Sequence, residues 1–408
     1  MRILVQKYGG SSVGDESRRE KVIEKILAAK KKGYNVVVVL SAMGRKPDPY
    51  ATDSLINLIK CSKDHQVCPR DQDLLMSCGE IISCVVLAQM LRDRGYDSIA
   101  LTGWQAGIIT DNNFSESHIL RIHPVQIIAN LKKGKIPVIA GFQGITEDGE
   151  VTTLGRGGSD TTATALGAAL GAEMVEIFTD VDGVMTADPK VLPNPRTIPE
   201  LHYEEAGEMS GEGAKVLHKR CIAPAAMFGI PLWIKSTLTD NPGTRVTSYE
   251  DTETFEKFES GRVVTGIVQV TDVAQMVADF IDAQDRALMR LEFLRMLREA
   301  GVSLDLISIV REKLYFIVQE HQVMDVVGVC KTLNLPVTIT HDCAKVSCVG
   351  IGMKGTPGVM AAIQEALAAV NVNVLHATDS HITISCLIKR KDLEIAVGAL
   401  ADKFNLRG

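Results

Sequence analysis

Short apolar runs alternate with amphipathic stretches along the first 245 residues of the chain. The run NVVVVLS is almost continuously apolar, which is typical of a strand buried on both faces of a parallel sheet. Amphipathic helices are predicted between such runs, for example over residues 17–32 and 80–94. This alternation predicts an α/β domain with an open, mostly parallel sheet. The predicted strands are Ile3–Lys7, Val36–Leu40, Ser98–Leu101, Pro137–Ala140 and Val175–Phe178.

The pattern changes at about residues 240–262, where the turn-rich TDNPGTRV and then an acidic stretch predict a linker over 246–262. A helix with leucine at every third position follows it, and then strands within GVSLDLISIV and EKLYFIVQ, a helix over 321–333 and the strand PVTIT. A similar order begins again at the strand AKVSCVGI. Two tandem βαββαβ units are therefore predicted, over 263–341 and 342–408, after a first domain over 1–245. The leucines are Leu288, Leu291, Leu294 and Leu297.

Composition narrows the class of protein. Of the 408 residues, 46% are hydrophobic and 23% are charged, which is ordinary for a soluble globular chain of several domains. The N-terminal apolar run is too short for a signal peptide, and we expect no membrane-spanning stretch and a cytoplasmic location. With a net charge of −6 and no basic tract, we expect no nucleic-acid partner. The nine cysteines form no C-x-x-C pair, so we expect buried thiols rather than disulfides or a zinc site.

The stretch LGRGGSDTTATALGAALG, residues 154–171, concentrates glycine and charge at one turn. Its glycines free backbone N–H groups to face a ligand, and Ser159 or Asp160 is predicted to cap the following helix. A glycine-fronted helix N-terminus suits an anion, and the planar fork of Arg156 suits a carboxylate. The alternative interpretation is a tight turn with a solvated arginine.

Two further loops follow predicted strands. Lys7 ends the first strand and precedes Gly9 and Gly10, which is compatible with phosphate binding or with an ordinary turn, but with neither dinucleotide nor Walker motifs. The segment FTDVDGVMTADPK, residues 178–190, indicates either nucleotide binding at the end of a strand or a surface loop with Asx turns. It lacks EF-hand spacing, so we predict no metal ligand there.

Together these blocks resemble the aspartate kinases of the amino acid kinase family. The resemblance rests on KYGGSSVGD, SAMGRKPDPYATDSLI, SCGEIIS, AGFQG, TTLGRGGSDTTA, FTDVDGVMTADP and GAKVLH. It implies an amino acid kinase fold, an open and mostly parallel sheet between helices, followed by two ferredoxin-like βαββαβ ACT domains. It also implies phosphoryl transfer from ATP to L-aspartate, giving 4-phospho-L-aspartate, the first step toward lysine, threonine, methionine and diaminopimelate.

The physical problem in this reaction is charge, because a carboxylate is already ionised at neutral pH and needs no general base. Two unit charges about 4 Å apart repel by roughly 4 kcal/mol at an effective dielectric constant of 20, and a triphosphate multiplies this. Cations and oriented N–H groups must offset that repulsion.

The resemblance implies a role for each of the following residues. Lys7, Arg156, Asp160 and Lys215 are implied as catalytic, with Arg156 on the α-carboxylate of aspartate and Asp160 holding the lysines. Glu80 is implied as the partner of the substrate ammonium; the alternative is a charge at a helix N-terminus after Gly79. The implied ATP-binding residues are Lys7, Gly9, Gly10, Ser11, Thr179, Asp180, Met185, Asp188, Lys190 and Lys215. The implied substrate-binding residues are Ser41, Thr52, Glu80, Phe142, Arg156, Gly157, Gly158 and Ser159.

The cofactors implied are ATP and Mg²⁺, the ion resting mainly on the phosphates. Three positions depart from the frequent family pattern, namely Met185 for tyrosine, Lys190 for arginine and Lys219 for proline. None of these departures removes an essential charge.

The second repeat is implied to bind an amino-acid effector, which is lysine, threonine or meso-diaminopimelate. The first repeat lacks a Pro-Gly-Val turn, so its site is altered or lost, and DSH at 379–381 is closer to members regulated by meso-diaminopimelate. An ordinary strand residue is the alternative for His381. ACT sheet edges favour a homo-oligomer. The implied effector contacts are Met353, Gly355, Pro357, Gly358, Val359, Asp379, Ser380 and His381.

Two other functions remain open from the sequence alone. One is a different amino acid kinase, although such enzymes usually lack the ACT pair. The other is a non-catalytic amino-acid sensor descended from a kinase.

Overall fold

The chain divides into two compact units. The computed structural model describes residues 1–59, 67–213, 217–248, 263–353 and 355–408. Within these residues, the first unit holds 1–184, 197–211 and 217–248, and the second holds 185–196, 212–213 and everything from 263 onward. Two segments inside the predicted range 1–245 thus belong to the second unit. The predicted linker overlaps the end of a strand, and its residues 249–262 lie outside the described residues.

The first unit is built on an eight-stranded sheet in the order β10-β12-β11-β9-β1-β2-β6-β3, with a four-stranded sheet β5-β4-β7-β8 beside it. In the larger sheet only β11 and β12 pair antiparallel, so the predicted mostly parallel sheet is confirmed. The strands of the two sheets are β1 (Ile3–Tyr8), β2 (Asn35–Leu40), β3 (Ser98–Leu101), β4 (Ile108–Thr110), β5 (Ile119–Ile122), β6 (Ile136–Ala140), β7 (Gln143–Ile145), β8 (Val151–Thr153), β9 (Met174–Thr179), β10 (Glu200–His202), β11 (Leu232–Ser236) and β12 (Thr244–Thr247).

Helices cover this sheet, and their apolar sides join the core. Val22, Ile23 and Ile26 of the second helix pack with Val36 and Val38 of β2, because their spacing places them on one helical face. The helices are α1 (Gly10–Val13), α2 (Glu16–Lys31), α3 (Thr52–Ile59), α4 (Pro69–Asp93), α5 (Val125–Lys132), α6 (Gly158–Leu170), α7 (Tyr203–Gly211) and α8 (Lys219–Phe228).

Helix α4 is longer than the sequence predicts. It begins at Pro69 rather than near Glu80, and its first half buries the polar residues Asp73 and Ser77 while Arg70 and Asp71 stay exposed. By length and composition alone its 25 residues could cross a membrane, so the expectation that no such stretch exists is wrong. Half of its most apolar window is buried, and Leu87 and Leu91 pack in the core with β2 and β6.

The second unit contains a six-stranded sheet in the order β14-β15-β13-β16-β18-β17. Helices pack on it through small apolar clusters. Its strands are β13 (Gly266–Asp279), β14 (Asp305–Val310), β15 (Lys313–Gln319), β16 (Val337–Val349), β17 (His376–Asp379) and β18 (Thr383–Lys389). Its helices are α9 (Arg286–Glu299), α10 (Val323–Thr332), α11 (Val359–Ala369) and α12 (Leu393–Lys403).

Two long strands are shared by both halves of this sheet. Residues 337–349 form one strand, so the prediction of two separate strands there is wrong, and the predicted boundary at 341/342 falls inside β16. The second half of β13 pairs with the first half of β16, and residues 266–270 pair with 345–349. The predicted second βαββαβ repeat, over 342–408, therefore takes one strand from residues 266–270, which precede most of the first repeat in sequence. A bulge in β13 and a positive φ of 54° at Asp342 accommodate the change of direction.

A buried ion cluster attaches residues 212–213 to this sheet. Lys345 of β16 is only 3% exposed, and its Nζ lies 2.7 Å from a carboxylate oxygen of Glu212 and also pairs with Asp305. Burial acts to lower the pKa of Lys345, but the hydrogen bonds to Asp305 and Glu212 outweigh burial and the pKa is raised. Next to this pair, a Cβ on Gly213 would lie 2.3 Å from the carbonyl oxygen of Gln269, so only glycine fits.

Three of the four leucines in the predicted stripe of α9 do not face the core. Leu288, Leu291 and Leu294 are 60%, 44% and 39% exposed, whereas Phe293 and Leu297 are buried. Residues spaced every three positions fall on successively different faces of a helix with 3.6 residues per turn. Phe293 and Leu297 are four positions apart, so their side chains lie on the same face.

We expect Phe293→Ala to lower the free energy of unfolding of the second unit by about 3–5 kcal/mol, because the ring packs against Phe280 and Phe316 and its loss leaves a cavity. Leu291→Ala, on the same helix but exposed, should cost less than about 1 kcal/mol. Hydrogen exchange of peptides from β15 measures both effects. Equal losses of protection in the two variants would contradict this packing.

Candidate active site

The predicted ligand-binding residues of the first unit lie at one edge of its sheet. Strands β9, β1, β2 and β6 are parallel neighbours, so their carboxyl ends meet at the same edge. Lys7 is near the end of β1, Ser41 follows β2, Phe142 follows β6 and Thr179 ends β9. Open α/β sheets bind ligands at this edge, and the topology therefore brings together residues that are up to 172 positions apart.

The charged centre of this edge is an ion pair between Lys7 and Asp160. Lys7 Nζ lies 2.6 Å from Asp160 Oδ1, and both side chains are largely shielded from solvent. Asp160 is in the first turn of α6. A Cβ on Gly9 would lie 3.6 Å from Lys7 Nζ, so the ammonium group lies directly beside the glycine turn. The pair therefore places a cation next to backbone that carries no side chain.

The turn after β1 is locked against the turn after β2. A Cβ on Gly10 would lie 2.6 Å from the carbonyl oxygen of Ala42 and 2.8 Å from that of Gly44, so only glycine allows this contact. The amide of Gly44 donates to the carbonyl oxygen of Gly10 at 3.0 Å. Ser11 follows in helix α1. The two turns thus hold each other through their backbones.

The turn before α6 has the geometry of a glycine loop. Gly155 and Gly157 both have a φ of 71°, and a Cβ on Gly157 would lie 2.4 Å from Cβ of His218. Gly157 occupies the N-cap position in the left-handed region without a side-chain cap, so the prediction that Ser159 or Asp160 caps the helix is wrong. The carboxylate of Asp160 is paired with Lys7 instead.

Arg156 projects into solvent from this turn. It is exposed, and among the described residues its guanidinium has no hydrogen-bond or ion-pair partner. A Cβ on Gly158 would lie 2.8 Å from the ring of Phe142, so the phenyl ring packs directly on the turn. Phe142 itself has a φ of 69°, and its amide donates to Thr162 Oγ1 at 3.0 Å.

Glu80 is a buried carboxyl group with one free oxygen. Its Oε1 accepts a hydrogen bond from the amide of Ala42 at 3.1 Å, and its Oε2 has no partner among the described residues. Burial raises the pKa of Glu80 to about 8, although its backbone hydrogen bonds act to lower it. Since α4 begins at Pro69, Glu80 lies in the middle of the helix, and the alternative of a helix N-terminal charge is wrong.

The remaining predicted substrate residues border the same turns. Ser41 follows β2, and its amide donates to the carbonyl oxygen of Tyr8 at 3.1 Å. Thr52 is the first residue of α3. Ser159 packs against Gly141, where an added Cβ would lie 2.9 Å from the serine Oγ. These contacts leave little room for larger side chains near the turns.

The predicted nucleotide residues are divided between the units. Thr179 donates to Asp180 Oδ1 at 3.1 Å in the first unit. Met185, Asp188 and Lys190 belong to the second unit, where Asp188 accepts hydrogen bonds from the amide of Lys190 at 2.9 Å and from Gln269 Nε2 at 3.2 Å. Lys215 lies outside the described residues.

Sequence reasoning missed two contacts at this edge. Arg45 pairs with Asp180 at 3.1 Å, and its place after β2 in the basic stretch GRK was the available signal. Ser12 Oγ and Thr237 Oγ1 are 2.7 Å apart, and their 225-residue separation gave no signal. Within the described residues, no cluster of three or more His, Cys, Asp or Glu side chains could hold a metal ion.

Most of the predicted effector residues line one cavity of about 330 Å³ in the second unit, between the turn before α11 and the β17–β18 turn. Pro357 instead lines a neighbouring cavity of about 460 Å³. His381 lies in the turn between the strands, so the alternative of a strand residue is wrong. Thr356, Met360 and Ile384 also line the cavity and were missed. The predicted residues there are Met353, Gly355, Gly358, Val359, Asp379, Ser380 and His381.

Comparison with known proteins identifies the family of the chain. Residues 2–236 match the model of the amino acid kinase family, and residues 346–404 match an ACT domain. Aspartokinase 1 of Bacillus subtilis is 41% identical over 407 residues, which is 100% of each chain.

Solved structures share the fold. E. coli aspartokinase III with aspartate and ADP in its R-state has a TM-score of 0.79 at 23% identity, covering 98% of this chain and 99% of the other. The same protein with lysine and aspartate in its T-state has a TM-score of 0.76 at 24% identity, covering 99% of both. Since the family model spans more than half of the chain and the curated relative matches it from end to end, the chain belongs to the amino acid kinase family, in its aspartokinase branch.

Proposed function

We propose that the edge formed by Lys7, Asp160 and the glycine turns transfers the γ-phosphoryl group of ATP to the side-chain carboxylate of L-aspartate. A carboxylate oxygen forms the new bond to phosphorus, the bond to the bridging oxygen breaks, and ADP leaves with that oxygen. The observation that carries the proposal is the shielded Lys7–Asp160 pair, 2.6 Å long, beside Gly9. No proton has to be removed, because the aspartate carboxylate is ionised at neutral pH.

Among the described residues, Lys7 and oriented backbone groups meet the charge problem at the transferring phosphoryl group. Lys7 offsets the charge that the transferring phosphoryl group spreads over its oxygens, and Asp160 holds the ammonium in place. Gly10 and Ser11 offer the phosphate N–H groups and a hydroxyl in a turn whose shape the contact with Ala42 and Gly44 maintains. Gly9 leaves room for the phosphate because it has no side chain, while its amide donates to the carbonyl oxygen of Phe178 at 3.3 Å. Positioning and electrostatics supply the catalysis, and no nucleophilic protein residue is involved.

The site recognises aspartate by its α-carboxylate and its α-ammonium group. Arg156, exposed and without a partner among the described residues, clamps the α-carboxylate. The unpartnered oxygen of Glu80 receives the α-ammonium, whose charge favours the ionised carboxylate over the protonated form. Ser41, Thr52, Phe142, Gly157, Gly158 and Ser159 complete the pocket.

The nucleotide is ATP, in keeping with the ADP complex of E. coli aspartokinase III. Thr179 and Asp180 contact it at the end of β9 in the first unit. Mg²⁺ rests mainly on the phosphates, which suits a set of described residues without a cluster of three metal ligands.

Regulation acts through the cavity of the second unit. Asp379, Ser380 and His381 offer a charge and hydrogen-bonding groups to an amino acid, and the lysine complex of E. coli aspartokinase III supports an effector of this class. Lysine, threonine and meso-diaminopimelate are the candidates.

A homo-oligomer forms through the second unit. Leu288, Leu291 and Leu294 of α9 are exposed, and the edge strand β14 exposes Ile307 and Ile309. We also place the protein in the cytoplasm, a reducing compartment that suits its free thiols.

We expect the purified protein to form aspartyl hydroxamate when hydroxylamine traps the acyl phosphate made from ATP and L-aspartate. Lys7→Met should lower kcat at least about a hundredfold, because the charge beside the phosphoryl group is lost. Lys25→Met is the control, since Lys25 also lies 2.6 Å from an aspartate, Asp240, but on the surface of α2. No hydroxamate from the wild type, or equal losses in both variants, would contradict the proposal.

We expect Glu80→Gln to raise the KM for aspartate. We also expect the free energy of unfolding of this variant to increase, relative to that of the wild type, as the pH rises. The folded pKa is about 8 and the unfolded value is 4.5, so between them the folded protein holds the extra proton. Its free energy of unfolding therefore falls with increasing pH through this window, and the glutamine variant lacks that loss.

Urea unfolding of ligand-free protein at pH 5 and pH 8 measures the difference, with exposed Glu24→Gln as the control. A pH-independent difference between wild type and Glu80→Gln would show that Glu80 is ionised in the folded protein.

We expect His381→Ala to raise the effector concentration for half-inhibition at least about tenfold with kcat unchanged, because a cavity contact is lost. The assay uses lysine, threonine and meso-diaminopimelate singly. His341→Ala, in another part of the second unit, is the control. Unchanged inhibition by every effector that acts on the wild type would place the effector elsewhere.

A further inference from the structure

Asp73 is a fully buried carboxylate that the proposed chemistry does not use. It lies on α4 seven residues before Glu80, so the two side chains share one face of the helix. Burying an ionised carboxylate is costly unless hydrogen bonds compensate it. The partners of Asp73 therefore indicate what the residue does.

Asp73 accepts four hydrogen bonds from two neighbouring loops. Its Oδ2 accepts from the amides of Ser115 at 2.8 Å and Thr153 at 2.7 Å. Its Oδ1 accepts from the hydroxyls of the same two residues, at 3.2 Å and 2.8 Å. One side chain thus joins the 115 loop to the end of β8.

Arg220 of α8 binds the same two segments through their carbonyl groups. Its guanidinium donates to the carbonyl oxygen of Leu154 at 2.5 Å and to that of Ser117 at 2.8 Å. The amide of Ser117 in turn donates to the carbonyl oxygen of Thr153 at 3.0 Å. Asp73 accepts hydrogen bonds from backbone N–H groups of the two segments, and Arg220 donates hydrogen bonds to backbone C=O groups of the same segments.

These bonds converge on the residue before Arg156. Thr153 and Leu154 lead directly into Gly155, and the carbonyl oxygen of Ser115 lies 3.0 Å from where a Cβ on Gly155 would be. Ser115 holds a φ of 70°, a strained value for a residue with a side chain. Because Arg156 has no partner of its own among the described residues, the backbone of this turn sets its direction.

We propose that Asp73 and Arg220 are positioning residues for aspartate recognition: they hold the Gly155 turn so that Arg156 meets the α-carboxylate. Neither residue touches the substrate. This inference rests on the proposed function, and it assigns the effect of both residues to aspartate binding rather than to the nucleotide. A shift of the Arg156 guanidinium by about 1 Å is enough to weaken its contact with the α-carboxylate strongly.

Two substitutions of Asp73 separate hydrogen bonding from charge. In Asp73→Asn, the amide oxygen can face the two backbone N–H groups while the NH₂ group donates to the two hydroxyls, which can also accept. All four bonds are kept, so the KM for aspartate should stay within about threefold of wild type. Asp73→Ala removes all four and should raise this KM at least about tenfold, with the KM for ATP within about twofold.

The control and the second variant use neighbouring residues. Ser83→Ala removes one hydrogen bond within α4, from Ser83 Oγ to the carbonyl oxygen of Gly79, and should leave the KM for aspartate unchanged. Arg220→Met should reproduce the effect of Asp73→Ala and tests the inference if Asp73→Ala does not fold. In the double variant the effects should be less than additive, because both residues hold the same turn.

Steady-state kinetics with each substrate varied at saturating levels of the other give the two KM values. Equal increases in both KM values, or an Asp73→Asn variant as impaired as Asp73→Ala, would overturn the positioning role. A wild-type protein that forms no hydroxamate contradicts the proposed function itself. An active wild type with an unchanged KM for aspartate in Arg220→Met contradicts only this inference.

Discussion

Repulsion between a carboxylate and a polyphosphate is the constraint that the first unit is built around. Under the proposed mechanism Lys7 must stay in place beside the turn of Gly9 and Gly10, and the ion pair with Asp160 at 2.6 Å holds its ammonium group there. Holding that pair requires the end of β1 and the first turn of α6 to lie side by side. The glycines allow the neighbouring turns to pack closely, because a side chain on Gly10 would collide with Ala42 and Gly44 and one on Gly157 would collide with His218.

Helix α4 shows how buried polar groups serve such a site. Most of its buried face is apolar and packs in the core, but Asp73 and Glu80 interrupt that face with carboxyl groups. The two carboxyl groups differ in their hydrogen-bond partners. Asp73 has its oxygens satisfied by four donors, which makes it a structural anchor, whereas Glu80 keeps one oxygen unpartnered and has a raised pKa. An unpartnered buried oxygen is costly, and under the proposed function the α-ammonium group of aspartate supplies the missing partner of Glu80.

The second unit contains chain segments that the sequence places in the catalytic half. Residues 185–196 carry Asp188 and Lys190, and Ala187 and Leu192 pack in the cluster that surrounds α11 and α12. Glu212 is held by the buried Lys345. The segment that carries Asp188 and Lys190 therefore shares a hydrophobic core with Met353, Val359 and Ile384, which line the cavity before α11. Under the proposed regulation, an effector in that cavity acts on this segment through the shared core.

The sequence by itself determined the parallel sheet, the order of its strands along the chain and the glycine turns, because apolar runs and glycine clusters are local signals. It also indicated the polar residues at the strand ends, several of which the fold brings to one edge. Only the tertiary structure decided which carboxyl groups are paired, since Lys7 and Asp160 are 153 positions apart and no local pattern records that distance.

The tertiary structure also decided that β13 and β16 are shared between the two halves of their sheet, that three of the four leucines of α9 face outward, and that α4 begins at Pro69. In each case the local pattern allows two arrangements. The choice between them depends on which distant surface the segment packs against, and that information exists only once the chain has folded.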